Sequence, residues 1–105
     1  MTSGQGPTYD LLLVQELVRG GHYVATLAAL NGLGALGLDR ADMELCIASL
    51  KAADFYKSDP SQQKPGLFLD IYRPSYCGHW IYVKVQIAPH RRLGKIAIIV
   101  SFKRK

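Results

Sequence analysis

The sequence is short of what disulfide-stapled, metal-built and membrane-spanning proteins rely on. Only Cys46 and Cys77 occur among 105 residues, so no disulfide framework holds the chain together. Cys46 lies in an apolar helical pattern and reads as a buried thiol. The three histidines, His22, His79 and His90, are scattered and lack metal-ligand spacing. No stretch reaches the ~18 uncharged apolar residues of a membrane span. Residues 1–7 carry neither the basic start nor the apolar core of a signal peptide. A cytoplasmic protein with no cofactor and no membrane partner is therefore expected. Acid is also missing from the second part: no Asp or Glu follows Asp70.

That last absence splits the chain electrically. Residues 1–70 hold five Lys/Arg against eight Asp/Glu, a net −3, and residues 71–105 hold eight Lys/Arg and no acid, a net +8. The overall +5 conceals a one-sided basic block, which favours a polyanion such as nucleic acid or an acidic protein partner. With 49% apolar residues the chain can bury one modest core. The expectation is a single domain over residues 8–105, preceded by a disordered Gly/Ser/Thr-rich start over residues 1–7.

Helix signals fill the first half. Thr8 or Asp10 can cap a first helix with Leu13, Val14, Leu17 and Val18 at helical spacing and Gly20-Gly21 closing it. A second helix is expected from Val24 to about Leu36. Asp39 with Asp42 forms a capping-box pattern for a third, whose stripe is Met43, Leu45, Cys46, Ile47 and Leu50. "GLGALG", Gly32 to Gly37, matches a dinucleotide fingerprint, but that motif needs a strand before it and a helix after it. Helical "ATLAALN" precedes it, so these glycines are read as loosening and ending the second helix.

The basic half reads as strands. "LFLDIYR", "WIYVKVQIA" and "KIAIIVSFK" are rich in β-branched and aromatic residues separated by turn material. Helices followed by strands predict an α+β fold with N-terminal helices packed on a C-terminal antiparallel sheet. In the last two strands, Ile81, Val83, Val85 and Ile87 share one face, as do Ile96, Ile98, Val100 and Phe102. If both sets meet one core, Lys103 falls opposite Tyr82, or opposite Trp80 and diagonal to Tyr82, with β-carbons within about 5–8 Å. "APHRRLG" connects the two strands and puts Arg91 and Arg92 at its tip. Lys103 therefore belongs to a strand, beside a phenol, on the less apolar face.

Short segments spread along the chain carry a resemblance. "LGLD" (Leu36–Asp39), "DFYKS" (Asp54–Ser58), "DIYRP" (Asp70–Pro74), "YVK" (Tyr82–Lys84) and "VSFK" (Val100–Lys103) occur in the order and spacing of the MqsR family of bacterial toxins. The resemblance runs from about Thr8 to the C-terminus. It implies a RelE-like fold, endoribonuclease activity on mRNA and a cognate antitoxin that restrains it. Of the family's catalytic set, the resemblance assigns Lys57, Tyr82 and Lys103. The family glutamine before "D-[VI]-Y-R-P" is replaced by Leu69, which cannot hydrogen-bond to RNA. Gln62 and Gln63 are the nearby carboxamides.

Metal-free RNA cleavage needs groups that accept the 2′-hydroxyl proton, stabilise charge on the phosphate and protonate the departing oxygen. Lys57 or Tyr82 is assigned to proton transfer, clustered cations being expected to lower a lysine and stabilise a phenolate, and Lys103 to charge stabilisation. Arg73 is a bidentate phosphate clamp, and Tyr56, Lys84, Arg91 and Arg92 join it as substrate-binding candidates. Plainer readings stand beside these. Lys57 follows an expected helix end, Arg73 can pair with Asp70 or Asp54, Tyr82 can simply pack, and Trp80 can be half-buried rather than a stacking platform. His79 is the best placed histidine. A non-catalytic RNA-binding or antitoxin-binding module on the same fold is the alternative.

Overall fold

A computed structural model describes residues 6–105. The expected disordered start thus falls outside the described residues, apart from Gly6 and Pro7, which are exposed coil. Helix α1 spans Leu11–Arg19, with the Asp10 carboxylate accepting from Leu12 N–H at 3.1 Å and Val14 and Val18 buried. Helix α3 spans Arg40–Ala48 and carries the full capping box: Asp39 accepts from Asp42 N–H and Asp42 accepts from Asp39 N–H. The far end of α3 is held by Gln15. Its buried carboxamide donates to the carbonyls of Ile47, Ala48 and Leu50, satisfying acceptors that a helix end leaves open.

The second helix starts later than expected. Tyr23–Ala25 is a strand, β1, and α2 spans only Leu27–Ala35. Thr26 makes the switch. Its hydroxyl donates to Val100 O at 2.8 Å and accepts from Ala29 N–H at 3.1 Å, ending one element and capping the next. A three-residue strand followed by a helix leaves an unbroken apolar stretch, which hides the boundary.

A short 3₁₀ turn, Ala52–Asp54, leads into β2 (Phe55–Pro60), followed by β3 (Phe68–Tyr72), β4 (Ser75–Tyr76), β5 (His79–His90) and β6 (Gly94–Arg104). The sheet order is β1-β6-β5-β3-β2, with β4 paired to β5. The fold is α+β, but the sheet is mixed rather than antiparallel because β1 runs parallel to β6. Lys57 lies on β2, not after a helix end.

Tyr82 sits directly opposite Lys103, one of the two registers expected from alternation. The expected apolar face of β6 is correct only at Phe102. Lys84 pairs with Ser101 while Val85 pairs with Ile99, so Val100 is an extra residue that reverses the alternation. Ala97 and Ile99 are buried in the core, and Ile98 and Val100 turn to the opposite face beside Lys84 and Gln86. One apolar cluster joins Val14, Met43 and Ile47 of the helices to Tyr72, Val83, Ile99 and Phe102 of the strands. Asp70, also buried, accepts from Thr8 N–H at 3.0 Å and Tyr9 N–H at 2.8 Å, tying the lead into α1 to β3.

The glycine-rich motif has a mechanical role. A Cβ on Gly32 would lie 2.1 Å from the Phe102 carbonyl oxygen and 3.0 Å from Lys103 Cβ. Glycine is what lets α2 lie against the end of β6 that carries Lys103. Gly37, at φ 73°, follows the helix end in the left-handed conformation that favours glycine.

Candidate active site

Side chains on a strand alternate between faces, so the face turned from the core can be read from the register. Val83 and Tyr72 point into the core; Tyr82, Lys84 and Ile71 point the other way. Lys57 pairs with Ile71, Ile71 with Lys84, and Lys84 with Ser101, in one row across four strands. Neighbouring strands lie about 4.8 Å apart, so Lys57 and Lys84 arise roughly 10 Å from each other, within reach of two long side chains. Ile71 between them is fully buried yet outside the helix-side cluster.

Three of the expected lysines surround Tyr82 or act on it, and Arg73 stands beside Tyr56. The Lys103 ammonium lies 5.5 Å from the centroid of the Tyr82 ring, and that of Lys84 lies 5.8 Å from it. Lys57 is close enough for the Tyr82 hydroxyl to add to its electrostatics. Arg73 follows β3, its N–H donating to Asp54 O, and its guanidinium stacks 3.7 Å over the Tyr56 ring. Among the described residues it makes no ion pair with Asp70 or Asp54; those carboxylates accept from main-chain N–H groups instead. Stacking by its face leaves the edge of the guanidinium, with its forked donors, open to a phosphate. A bulge makes Tyr56 the extra residue between the Phe55–Tyr72 and Lys57–Ile71 pairs.

Arg91 and Arg92 do not join this group. They sit in the turn between β5 and β6, eight residues along β5 from the Tyr82 end, roughly 25 Å away. Trp80 is 63% exposed rather than half-buried, and it borders a small cleft with Arg73 and Lys105. Its indole is thus open to stacking, with two cations beside it.

Two neighbouring groups were not recognised in the sequence. Asp59, two residues after Lys57 and on the same side of β2, forms an ion pair with the Lys57 ammonium at 3.2 Å. It holds Lys57 above the ordinary lysine range through its hydrogen bond and charge, against the expectation that neighbouring cations lower it. Lys57 therefore remains an ammonium at neutral pH, a charge stabiliser or proton donor rather than a free amine base. Its partner becomes recognisable once "FYKSDP" is read as a strand, where residues two apart share a face. The second is Gln86, which lines a cavity of about 470 Å³ with Leu69, Lys84, Ile98 and the 61–64 segment. Gln62 and Gln63 border the same cavity. Continuing the β3–β5 register sets Leu69 beside Gln86. Among the described residues, no three His, Cys, Asp or Glu side chains gather as metal ligands.

Residues 6–104 match the family described as "Motility quorum-sensing regulator, toxin of MqsA". The chain belongs to the MqsR toxin family. It is 33% identical over 99 residues to the mRNA interferase toxin MqsR of Escherichia coli strain K12, covering 94% of this chain and 95% of that relative. The likeness spans every element that builds the cluster, from α1 to the lysine of β6. No helix of the described residues is long and apolar enough to cross a membrane.

Proposed function

We propose that this MqsR-family toxin is a cytoplasmic, metal-independent endoribonuclease that cuts mRNA at the face formed by Lys57, Tyr82 and Lys103, on a RelE-like arrangement of residues 8–105. What supports the reading is that Lys103 and Lys84 flank the Tyr82 ring, with Lys57 in the same row of the sheet as Lys84 and Arg73 stacked on Tyr56 next to Lys57. The E. coli relative is named an mRNA interferase toxin, and the family description names a toxin of a partner protein. By extension, mRNA is the substrate here and a cognate antitoxin restrains the enzyme.

The chemistry follows from the charges. The ribose 2′-oxygen bonds to the adjacent phosphorus, the P–O5′ bond breaks, and the products are a 2′,3′-cyclic phosphate and a 5′-hydroxyl. Lys103 and Lys84, flanking the Tyr82 ring, stabilise negative charge accumulating on the phosphate oxygens. Arg73 clamps a neighbouring phosphate. Acting as the phenolate, Tyr82 takes the 2′-hydroxyl proton and becomes the neutral phenol. Lys57, kept charged by Asp59, donates to the departing O5′. Tyr56 orients Arg73, Trp80 stacks a base beyond the cut, and Arg91 and Arg92 hold the strand electrostatically farther along β5.

The test is incubation of antitoxin-free protein with a long RNA in EDTA, beside Lys57→Ala and Lys103→Ala. Cleavage by the parent and a loss of at least about 100-fold in both variants is expected, on the scale of losing one charge-stabilising or proton-transfer group. Equal cleavage by all three places the activity elsewhere. RNA binding with no cleavage supports a non-catalytic module instead.

A further inference from the structure

Two glutamines are buried in this protein, and they spend their polar atoms differently. Gln15 is 8% exposed and donates to three main-chain carbonyls. Gln86 is 7% exposed, makes no side-chain hydrogen bond to another described residue, and lines the cavity beside Lys84. Its carboxamide therefore keeps a donor and an acceptor free at the cavity wall. A side chain so placed can pair with a donor and an acceptor on one edge of a ligand.

The surroundings indicate what that ligand is. Lys84 both borders the cavity and stands 5.8 Å from the Tyr82 ring, so the cavity opens directly beside the cleavage face. Leu69, Ile98 and Val100 give it flat apolar surfaces, the last two exposed to it by the bulge at Val100. Lys64 and Asp59 lie at the wall. A volume of about 470 Å³ is in the range of small-molecule sites and suits one planar ring with part of its sugar. Apolar walls for the ring faces and a paired donor and acceptor for one edge are the requirements for reading a single unstacked base.

We propose that this cavity is the pocket for one nucleobase adjoining the scissile phosphate, and that Gln86 is the residue that selects it. The proposal rests on the RNA-cleaving reading above and adds where its sequence preference comes from. Gln86 is spaced two residues from Lys84 and four from Tyr82 along one face, about 7 and 13 Å, so a base on Gln86 leaves its phosphate at the cation cluster.

Titration of the full chain with adenosine, cytidine, guanosine and uridine 5′-monophosphates, followed through the Gln86 side-chain amide by NMR, tests this without needing turnover. One nucleotide is expected to bind about tenfold tighter than the weakest and to move that amide, on the scale of a good paired contact. In Gln86→Leu the four affinities converge to within about twofold. In Gln86→Glu, which keeps the size and loses the donors, their ranking changes. An unmoved amide, no discrimination by the parent, or unaltered ranking in both variants overturns the pocket. Cleavage maps of a long RNA separate this from the parent reading. Discriminating binding without any cleavage upholds the pocket and removes the nuclease, and cleavage with an unchanged base preference in Gln86→Leu does the reverse.

Discussion

Gly32→Ala tests whether the approach of α2 to β6 positions the catalytic face. In an ordinary helix interior the change is favourable, since alanine exceeds glycine by about 1 kcal/mol. Here the new methyl would meet the Phe102 carbonyl oxygen at 2.1 Å and Lys103 Cβ at 3.0 Å, so main chain must move by more than an ångström. Overpacking of that kind costs about 1–3 kcal/mol, and more when backbone rather than a side-chain tip has to yield. The expected net effect is a loss of about 1–2 kcal/mol, read as a fall in urea midpoint of roughly 1 M at unchanged slope. Gly34, two residues on in the same helix, has nothing within 4 Å of its would-be Cβ, so Gly34→Ala is expected to gain up to about 1 kcal/mol. Cleavage should also fall in the Gly32 variant, because the displaced segment carries Lys103. A Gly32→Ala protein as stable as the parent, or more so, refutes the close contact and the role given to it.

Other expectations follow from single groups. Asp59→Asn removes the charge that raises Lys57, so the Lys57 ammonium, followed by NMR of labelled lysine, should titrate at lower pH than in the parent. Because the raised form is the protonated one, any stability it lends is present below the ordinary lysine range and lost only as pH climbs past the folded value. An unchanged midpoint contradicts the pairing. Tyr72 buries a hydroxyl with no partner among the described residues, and burial pushes it up to about 12, so Tyr72→Phe should be neutral or stabilise by about 1 kcal/mol in denaturation. Burial likewise pushes the Cys46 thiol to about 12, whereas Cys77 is exposed, so a thiol reagent at pH 8 should titrate one group in the native protein and two after unfolding.

Some of this fold is written in local signals. Asp10 and the Asp39–Asp42 pair mark their helix starts because capping is a contact within four residues. The facing of Tyr82 and Lys103 follows from alternation in two long strands that must share a core. What was missed depends on partners distant in the chain. β1 exists only because β6 is beside it, and three residues carry too little periodicity to announce a strand. The extra Val100 is indistinguishable from its neighbours in "IAIIVSF" until β5 fixes the count across from it. The site shows the same division. Lys57, Tyr82 and Lys103 came from resemblance and register, while Asp59 needed β2 to be recognised. In the sequence nothing sets Gln86 apart from other strand polar residues, and only the 61–64 segment and the turned-out Ile98 and Val100 give it a cavity to line.

A single RNA oligonucleotide decides whether the Lys57, Tyr82 and Lys103 face works through the substrate's own 2′-hydroxyl. Cut sites are first mapped on the all-ribose strand in EDTA, and one nucleotide 5′ to the cut is then replaced by its 2′-deoxy form. The altered strand should bind within about twofold of the original and remain uncut at that position, while the original yields a 2′,3′-cyclic phosphate. Cutting of the deoxy strand at the same phosphate would contradict the chemistry assigned to these residues.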